Sequence, residues 1–417
     1  MRCVMTYGLY LRADGRLPCY CGAGETVTLG RFQPGRGGDF VEDVFTKGAF
    51  ARIREAQAKG MTPFPGVCEQ CSYLEPDAPF VREEGVLRWF HLEPTMRCML
   101  DCEWCEGMRD DPPSLATLGM DVLAEVTDSL ARAGYRLDKG NICGVGEPTL
   151  NPRLWDMVGR MKDRLGGDIL VSTNGNGPYS EAIVPSGIDK VKIAIDSTRQ
   201  EQYQRYRRHG SVARVFEFTR RIRQAREAAG ASSPRLIWQY IMFDFNDSDE
   251  ELLELQDAAA RMGVDSLRIV YTRCSNYSTR TSEDFPRTFP DIDFFQIKDE
   301  SLLGPQAALE RFRLAGALEG AGEWEQAAVA YMGLVNDVTK RLVLGVRTYA
   351  DLLDAVHRLD RATAGGTPSL TEPEARGLRE LVGRCFARLA AVHDRMGRED
   401  QARAYRNFMR KAGMVDR

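Results

Sequence analysis

The sequence predicts an α/β protein built around a partial (β/α)6 barrel, with a cysteine-rich cluster domain before the barrel and an all-α domain after it. The first observation is that six short apolar segments alternate with amphipathic segments from Val86 to about Arg273. The second is that eight of the 11 cysteines precede residue 106, and the third is that the chain turns helical, without further strands, after about Pro305. These changes of pattern predict domains at 1–82, 83–303 and 304–417.

Composition and charge exclude several classes of protein. The 417 residues are 43% hydrophobic and 28% charged, as in globular proteins, and the net charge is -4. This balance gives no attraction to nucleic acid or to an anionic membrane, and no apolar run reaches the ~18 residues that cross a bilayer. Arg12 and Asp14 interrupt the apolar start, and no cleavage site follows. We therefore expect a cytoplasmic protein with no nucleic-acid or membrane partner.

The cysteines indicate metal binding. They lie at positions 3, 19, 21, 68, 71, 98, 102, 105, 143, 274 and 385, and no secretory context is visible that would support disulfides. The four histidines show no metal-ligand spacing, so thiolates are the expected ligands, and these favour iron–sulfur clusters or zinc. Residues 1–82 are rich in Gly and Pro around one predicted helix at 49–59, and a metal site would stabilise such a segment.

Each barrel strand is predicted from a short apolar run. The runs lie at 87–93, 141–144, 168–173, 190–196, 236–243 and 267–272. Between them, apolar residues recur at helical spacing over 122–130 and 252–259. This alternation implies parallel strands joined by crossover helices, and six strands are too few to close a barrel. We expect an open sheet with its chemistry at the carboxyl ends of the strands.

The segment 304–417 is predicted to be helical. Two stretches resemble each other, one from Gly322 to Tyr331 and the other from Gly397 to Tyr405, and each is typical of a turn followed by a helix. This pattern is similar to tetratricopeptide (TPR) repeats, although the offset of 75 residues requires an insertion. An irregular helical bundle is the alternative, and residues 363–373 are the predicted loop within it.

The strongest motif is Cys98-Met-Leu-Asp-Cys102-Glu-Trp-Cys105, which follows the first predicted barrel strand. Three thiolates at this spacing on a short loop can bind three irons of a [4Fe–4S] cluster and leave the fourth iron open for chemistry. A zinc knuckle is the alternative. Zinc needs a fourth ligand close by, however, and the nearest histidine, His91, lies within the preceding strand.

The spacing of these cysteines resembles the signature of the radical SAM superfamily. Trp104, before the third cysteine, stands where that family packs an aromatic ring near the adenine of its cofactor. The resemblance implies S-adenosylmethionine and a [4Fe–4S] cluster on Cys98, Cys102 and Cys105, with an electron donor such as flavodoxin or ferredoxin. It also implies that the reduced cluster cleaves S-adenosylmethionine to a 5′-deoxyadenosyl radical, which abstracts hydrogen from an unactivated C–H bond.

Three later strand ends carry residues similar to the cofactor contacts of that family. Glycines allow the backbone to approach a ligand closely, and a glutamate can pair with the ammonium group of S-adenosylmethionine. The matching residues are Gly144, Gly146, Glu147 and Pro148 after the second strand, Ser172 and Asn174 at the end of the third, and Asp196 at the end of the fourth. Their order along successive strands makes the resemblance more specific than any single turn.

The N-terminal cysteines resemble a SPASM or twitch domain, which holds auxiliary [4Fe–4S] clusters in this superfamily. The resemblance is carried by Asp14-Gly15-Arg-Leu-Pro18-Cys19, Thr28-Leu29-Gly30 and Cys68-Glu-Gln-Cys71. It implies a second cluster on Cys3, Cys19, Cys68 and Cys71, with Cys21 as a substitute for Cys19, and a zinc ribbon on these thiolates is the alternative. Here the domain precedes the barrel instead of following it, and it has five cysteines instead of about seven.

Three further cysteines and one basic run lie outside these motifs. Cys274 follows the sixth strand in a polar loop, and Cys143 lies beside the Gly144 turn, where a buried core residue is the alternative. Cys385, on an amphipathic helix, is expected to pack in a core. The basic run 205–209 is expected to be a solvated helix end, with contact to an anionic substrate as the alternative.

The predicted reaction rests on a resemblance to sugar- and aminoglycoside-tailoring members of the superfamily. It implies a carbohydrate epimerase of antibiotic or natural-product biosynthesis, acting on a small-molecule or oligosaccharide substrate. An epimerase returns hydrogen to the substrate radical from a cysteine thiol, with Cys274 as the leading donor and Cys143 as the second. The alternatives are a dehydrogenase of an alcohol or aminoglycoside, which needs no such thiol, and a peptide-modifying enzyme whose substrate the C-terminal helices hold.

Overall fold

Eight parallel strands form the central sheet of the protein in a computed structural model. The structure describes residues 2–19, 27–33, 35, 39–64, 68, 74–75, 85–103, 105, 115–271, 278, 295–298, 305–339, 356 and 372–414. Across the sheet they follow in the order β14 (Phe295–Lys298), β13 (Ser266–Tyr271), β12 (Arg235–Met242), β10 (Lys190–Ala194), β9 (Asp168–Thr173), β8 (Arg136–Ile142), β6 (Val86–Leu92) and β2 (Gly8–Leu11). Three short antiparallel pairs lie outside it: β1 (Arg2–Cys3) with β5 (Leu74–Glu75), β3 (Arg16–Pro18) with β4 (Thr28–Arg31), and β7 (Asp101–Cys102) with β11 (Arg207–Arg208). The predicted α/β fold with an open parallel sheet is confirmed.

The six predicted strands are the six inner strands of this sheet. Five of them begin within one residue of the predicted position, whereas β8 begins at Arg136 instead of 141. Exposed residues at 136, 138 and 139 break its apolar run, which is why the sequence pattern shortened it. The sheet also has two edge strands that were not predicted, and one of them, β2, comes from the segment assigned to a separate N-terminal domain.

The crossover helices pack with the sheet in one hydrophobic core. They are α2 (Met120–Arg132), α3 (Leu154–Leu165), α4 (Gln200–Tyr206), α5 (Val212–Ala228) and α6 (Asp249–Met262), while α1 (Gly48–Ala58) precedes the barrel. In α6, Ser248 Oγ accepts a hydrogen bond from Glu251 N (3.2 Å) and caps the first turn. The helix ends at Gly263, whose φ of +68° continues the chain in a left-handed conformation. The helices predicted at 49–59, 122–130 and 252–259 are confirmed.

The two faces of the sheet have different chemistry. In β9, Ile169, Val171 and Thr173 are buried with the helices, whereas Ser172 points to the other face and is half-buried. Successive side chains of a strand alternate between faces, so Cys143, next to the buried Ile142 of β8, also lies on this second face. The second face, which lines the interior of the partial barrel, also carries Asn141 of β8 and Lys192 of β10, so polar side chains are common on it.

Within the described residues, four helices and Val356 form a second core at the C-terminal end of the chain: α7 (Pro305–Gly320), α8 (Trp324–Thr339), α9 (Glu372–Arg395) and α10 (Glu399–Lys411). The two similar stretches occupy equivalent places. Gly322 and Gly397 adopt left-handed φ values of +80° and +70° in the turns before α8 and α10, and Ala327 and Ala402 are fully buried one turn later. The helical prediction is confirmed, and the TPR-like assignment stays a prediction.

The C-terminal helices contact the N-terminal segment. Thr62 Oγ1 donates to Glu325 Oε2 of α8 (2.9 Å), and Val329 of the same helix packs in the core of the barrel. None of the helices that the structure describes is long and apolar enough to cross a membrane. The predicted loop at 363–373 lies almost entirely outside the described residues.

Candidate functional site

The carboxyl ends of neighbouring strands meet in one polar region. Glu93, directly after β6, accepts a hydrogen bond from Val145 N (3.1 Å) in the turn after β8. Glu147, in the same turn, accepts one from Asn174 N (2.7 Å) at the end of β9. Asp196 follows β10 at the same edge of the sheet. Parallel strands place their carboxyl ends together, and ligands of open α/β sheets bind in the crevice that results.

The segment that carries Cys98, Cys102 and Cys105, here called the cysteine loop, follows β6 and crosses these strand ends. Cys98 is exposed, whereas Cys102 and Cys105 are half-buried. Two nitrogen donors face the Cys98 sulfur: Leu100 N at 3.4 Å and Asn174 Nδ2 at 3.8 Å. Cys105 N donates to Cys102 O (3.0 Å), which closes a tight turn between those residues. Donors directed at a sulfur favour the thiolate, the form that binds iron.

The surroundings of the three thiols suit a soft metal centre. Burial raises the pKa of Cys98 and raises that of Cys102 to about 12, while the positive charge of Arg207 opposes both shifts. Both thiols also interact electrostatically with Cys105. Among the described residues, no three Cys, His, Asp or Glu side chains converge on one point at metal-binding distance. The match to a metal centre therefore depends on the chemical type and spacing of the cysteines. Three cysteines on one partly exposed loop match a [4Fe–4S] cluster with an open iron.

The turn after β8 packs against the start of the cysteine loop. A Cβ atom at Gly146 would lie 2.3 Å from Thr95 O and 2.6 Å from Arg97 O, and one at Gly144 would lie 2.4 Å from Glu93 Cγ. Only glycine permits this approach. The described contacts of both glycines are thus with protein, and their predicted contact with S-adenosylmethionine stays a prediction.

Glu147 is the buried anion of this turn, which continues into a short 3₁₀ segment, Pro148–Leu150. Its Oε1 accepts hydrogen bonds from Thr149 N (3.1 Å), Thr149 Oγ1 (2.7 Å) and Thr173 Oγ1 (2.6 Å), and its Oε2 accepts one from Asn174 N. Burial raises the pKa of Glu147, and these four donors oppose the shift. Since a carboxylate oxygen has two acceptor sites, Oε2 retains capacity for the predicted ammonium group.

The remaining predicted cofactor residues differ in their hydrogen-bond partners. Ser172 Oγ is buried and, within the described part of the chain, has no hydrogen-bond partner. Asn174 donates to the sulfur of Cys98, so it links β9 to the cysteine loop. The Asp196 carboxylate accepts a hydrogen bond from Ile241 N (2.8 Å) and forms an ion pair with Arg207. Trp104 lies outside the described residues.

A cysteine and a histidine meet inside the barrel below the Gly144 turn. Cys143 Sγ lies 3.4 Å from His91 Nε2 and 3.4 Å from Asn141 Nδ2. His91 Nε2 is also 3.2 Å from Cys143 O, and Asn141 Nδ2 is 3.4 Å from His91 Nδ1. Burial raises the pKa of Cys143 to about 11 and lowers that of His91 to about 4. At pH 7 the pair is a protonated thiol beside a neutral imidazole.

The N-terminal cysteines are partly described. Cys3, Cys19 and Cys68 are buried, each with 8% exposure, and share the core of the barrel. Backbone N–H groups face two of their sulfurs: Met5 N lies 3.4 Å from Cys3 Sγ, and Phe64 N lies 3.3 Å from Cys68 Sγ. Cys71 and Cys21 lie outside the described residues. The auxiliary cluster on Cys3, Cys19, Cys68 and Cys71 therefore stays a prediction.

Two predicted cysteines lie elsewhere, and two residues that sequence reasoning missed lie at the site. Cys274, the leading predicted hydrogen donor, lies outside the described residues, and Cys385 is fully buried in the C-terminal core as expected. Sequence reasoning did not single out Glu93 or Arg12, which form a buried ion pair. A glutamate as the last residue before Pro94 and the cysteine loop was the available signal, because polar residues at the carboxyl ends of parallel strands face the active site.

Comparisons with known proteins match part of the chain. Residues 92–259 match the family model described as the Radical SAM superfamily. A probable GTP 3′,8-cyclase of Methanococcus maripaludis is 30% identical over 133 residues, which cover 31% of this chain and 43% of that protein. A cofactor-modifying protein for the tungsten-containing aldehyde ferredoxin oxidoreductase of Pyrococcus furiosus is 26% identical, covering 44% of this chain and 51% of that protein. The chain thus spans about half the length of these curated relatives, or less.

Solved structures align with parts of the chain at low TM-scores. Streptococcus suis SuiB bound to its precursor peptide SuiA aligns with a TM-score of 0.40 at 13% identity, covering 60% of this chain and 52% of SuiB. The radical S-adenosylmethionine methyltransferase TsrM of Kitasatospora setae aligns with a TM-score of 0.33 at 17% identity, covering 46% of this chain and 40% of TsrM. The cofactors expected from the motif, S-adenosylmethionine and a [4Fe–4S] cluster on cysteines, are those of the matched superfamily.

Proposed function

We propose that this chain, whose residues 92–259 are a radical SAM domain, is a radical SAM epimerase that inverts a carbon of a carbohydrate-like small molecule. When bound, the cluster and S-adenosylmethionine supply a 5′-deoxyadenosyl radical that removes a hydrogen atom from a substrate C–H bond. The residues of the chain would hold these cofactors at the strand ends, orient the substrate inside the barrel and return a hydrogen atom to it.

The proposal depends on one observation, the buried and protonated thiol of Cys143. Epimerisation requires a hydrogen atom delivered from the face opposite to abstraction, and an S–H bond is weak enough to give one. The Cys143 thiol lies on the interior face of the barrel, next to the Gly144–Pro148 turn, and its raised pKa of about 11 keeps the sulfur protonated at pH 7. A thiolate would hold no hydrogen atom to give, so burial of this sulfur suits the reaction.

The contacts of Cys143 also suit a donor. His91 and Asn141 hold the sulfur from two sides, and neither carries a charge at pH 7 that would draw the proton away. Asn141 Oδ1 and Ser172 Oγ are buried and, in the described part of the chain, lack hydrogen-bond partners. Unpartnered polar atoms facing the barrel interior would favour a substrate with hydroxyl or amino groups, which supports a carbohydrate.

Isotope incorporation tests the proposal. Reconstituted enzyme is incubated in D2O with S-adenosylmethionine, titanium citrate and a panel of aminoglycosides and nucleotide sugars, and the products are analysed by mass spectrometry and NMR. The wild type should place one deuterium at the inverted carbon. The Cys143→Ala variant should still form 5′-deoxyadenosine but no epimer, while Cys385→Ala, which removes a thiol from the remote helical core, should retain epimerisation.

Two results would favour other reactions. Full activity of both Cys143→Ala and Cys274→Ala, or an oxidised product without solvent deuterium, would support the dehydrogenase instead. Loss of epimer only in Cys274→Ala would assign the donor role to Cys274. A wild type that cleaves S-adenosylmethionine but converts no sugar of the panel would favour the peptide-modifying alternative.

A second candidate function comes from the curated relatives. Several of them are named GTP 3′,8-cyclase, and their similarity covers 31% of this chain in two cases and 61% of it, at 23% identity, in a third. A radical cyclisation of a purine nucleotide is therefore the competing proposal. Incubation of the reconstituted enzyme with GTP separates the two, because a cyclase would consume GTP and form a product without deuterium from solvent at an inverted carbon.

A further inference from the structure

The basic run 205–209 contains one arginine that is not solvated. The side chain of Arg207 is 10% exposed, whereas that of its neighbour Arg208 is 47% exposed and lies near Asp101 and Glu103. The expectation of a solvated helix end is therefore wrong for Arg207. The helix ends before it, at Tyr206, and residues 207 and 208 form strand β11, which turns the first of these side chains inward.

Backbone pairing holds Arg207 against the cysteine loop. Strand β11 pairs antiparallel with β7, and the residue opposite Arg207 is Cys102, a predicted cluster ligand. Glu103 N also donates to Tyr206 O (3.1 Å), which extends the contact by one residue. Directly opposed residues of an antiparallel pair have Cα atoms only about 4.5–5.5 Å apart. The backbone of Arg207 is therefore anchored beside the loop that would bind the cluster, and its positive charge acts on the thiols of Cys98 and Cys102.

A buried carboxylate balances this cation. Asp196 is fully buried, its side chain forms an ion pair with Arg207 Nε, and Ile241 N donates to its other oxygen (2.8 Å). Asp196 O accepts from Asn246 Nδ2 (2.7 Å), so the residue is held from both its side chain and its backbone. The pair joins the end of β10 to the cysteine loop, and neither charge can be removed alone without leaving the other buried and unpaired.

We propose that the Arg207–Asp196 pair is a positioning device for the cysteine loop that also sets the reduction potential of the [4Fe–4S] cluster. This inference rests on the radical SAM assignment, and it does not depend on which substrate reaction follows. Reduction adds one electron from an external donor to the cluster, which thereby gains one unit of negative charge. A buried cation beside the loop favours that added charge, and a buried anion disfavours it, because charges interact strongly where water is excluded.

The two members of the pair therefore have opposite effects. Removing the charge of Arg207 leaves the Asp196 carboxylate near the cluster and should make reduction harder. Removing the charge of Asp196 leaves the Arg207 guanidinium unbalanced and should make reduction easier. A purely structural role would predict no such reversal of sign, since either substitution would only loosen the loop.

Potentiometric titration of the reconstituted full-length chain tests this. The reduced cluster on Cys98, Cys102 and Cys105 is quantified by electron paramagnetic resonance at stepped potentials, without S-adenosylmethionine, in wild type, Arg207→Met, Asp196→Asn and the double variant. The signal that the Cys98→Ala/Cys102→Ala/Cys105→Ala variant retains is subtracted, because it belongs to the predicted N-terminal cluster. At a fixed potential near the wild-type midpoint, Arg207→Met should lower the ratio of reduced to oxidised cluster at least about tenfold, and Asp196→Asn should raise it by a similar factor, where tenfold equals 59 mV for one electron. The double variant should lie between the singles.

Arg208→Met is the matched control, because it removes an equal charge from the exposed neighbour and should leave the midpoint at the wild-type value. Singles that shift the midpoint in the same direction, or by no more than Arg208→Met does, would overturn the proposal. If Arg207→Met assembles no cluster, the sign of the Asp196→Asn shift decides by itself. A wild type that binds no cluster would contradict the radical SAM assignment instead, so the two failures are distinguishable.

Discussion

Arg12 and Glu93 form an ion pair that is almost fully withdrawn from solvent, with Nε 3.3 Å from Oε1 and side-chain exposures of 1% and 0%. Glu93 also accepts hydrogen bonds from Ala13 N (3.4 Å), Tyr10 Oη (3.3 Å) and Val145 N (3.1 Å). One carboxylate thus joins the end of β2, the end of β6 and the turn after β8. The N-terminal segment that carries Cys3 and Cys19 is held to the candidate cofactor site through it.

Breaking this pair should destabilise the protein strongly. Glu93→Gln leaves the Arg12 guanidinium buried without its counter-ion, and we expect it to lower the free energy of unfolding by about 3–5 kcal/mol. Arg12→Met/Glu93→Gln should cost less than the sum of the single substitutions, because neither charge is then stranded. Lys47→Met is the control: it breaks the exposed pair with Asp43 and should change stability by less than about 0.5 kcal/mol. Urea denaturation of wild type, Arg12→Met, Glu93→Gln, the double variant and Lys47→Met measures these values, and additive singles would refute the coupling.

Glycine at 146 should be required for the turn, whereas glycine at 159 should not. A Cβ at Gly146 would overlap two backbone oxygens of the cysteine loop, so Gly146→Ala must displace the loop and should weaken binding of S-adenosylmethionine at least about tenfold. Gly159 lies inside α3, where the nearest atom to an added Cβ is 3.9 Å away. Gly159→Ala should therefore stabilise the chain by up to about 1 kcal/mol and leave binding unchanged. Equilibrium dialysis and thermal unfolding check both, and equal binding in the two variants would remove the turn from the site.

Iron content should separate the two predicted clusters. Anaerobically reconstituted wild type should hold about eight irons per chain, and the Cys98→Ala/Cys102→Ala/Cys105→Ala variant about four. Cys143→Ala should keep the wild-type content, because its sulfur contacts His91 and Asn141 inside the barrel. Iron and zinc analysis measures this. Four irons with one zinc in the wild type would show that the N-terminal site is a zinc ribbon.

The C-terminal bundle should lose stability in acid through His393. This residue is fully buried, both ring nitrogens lack a hydrogen-bond partner within the described residues, and burial lowers its pKa from 6.5 to about 4. Because the unfolded chain binds the proton first, this contribution is fully present above pH 6.5 and falls by about 3 kcal/mol as the pH drops to 4. His393→Leu should flatten the dependence over that range. His91, with the same shift, should leave a residual slope, and an unchanged pH profile in the variant would contradict the assignment to His393.

The sequence by itself determined the strand and helix pattern, the place of the cysteine loop and the order of the polar strand ends. These features are local: a strand is written in a short apolar run, and three cysteines at close spacing must share one loop whatever surrounds them. It also indicated the helical nature of the C-terminal end, including the two equivalent turns at Gly322 and Gly397.

The tertiary structure decided which charged groups are buried and with which partners. Arg12 and Glu93 are 81 residues apart, and they meet because β2 joins the sheet beside β6 in a parallel register that no local periodicity encodes. Arg207 looks like its neighbour Arg208 in the sequence, and only the pairing of β11 with β7 turns it inward to Asp196. The role of a charged side chain depends on whether its surroundings exclude water. Those surroundings are built from strands that are distant from one another in the sequence.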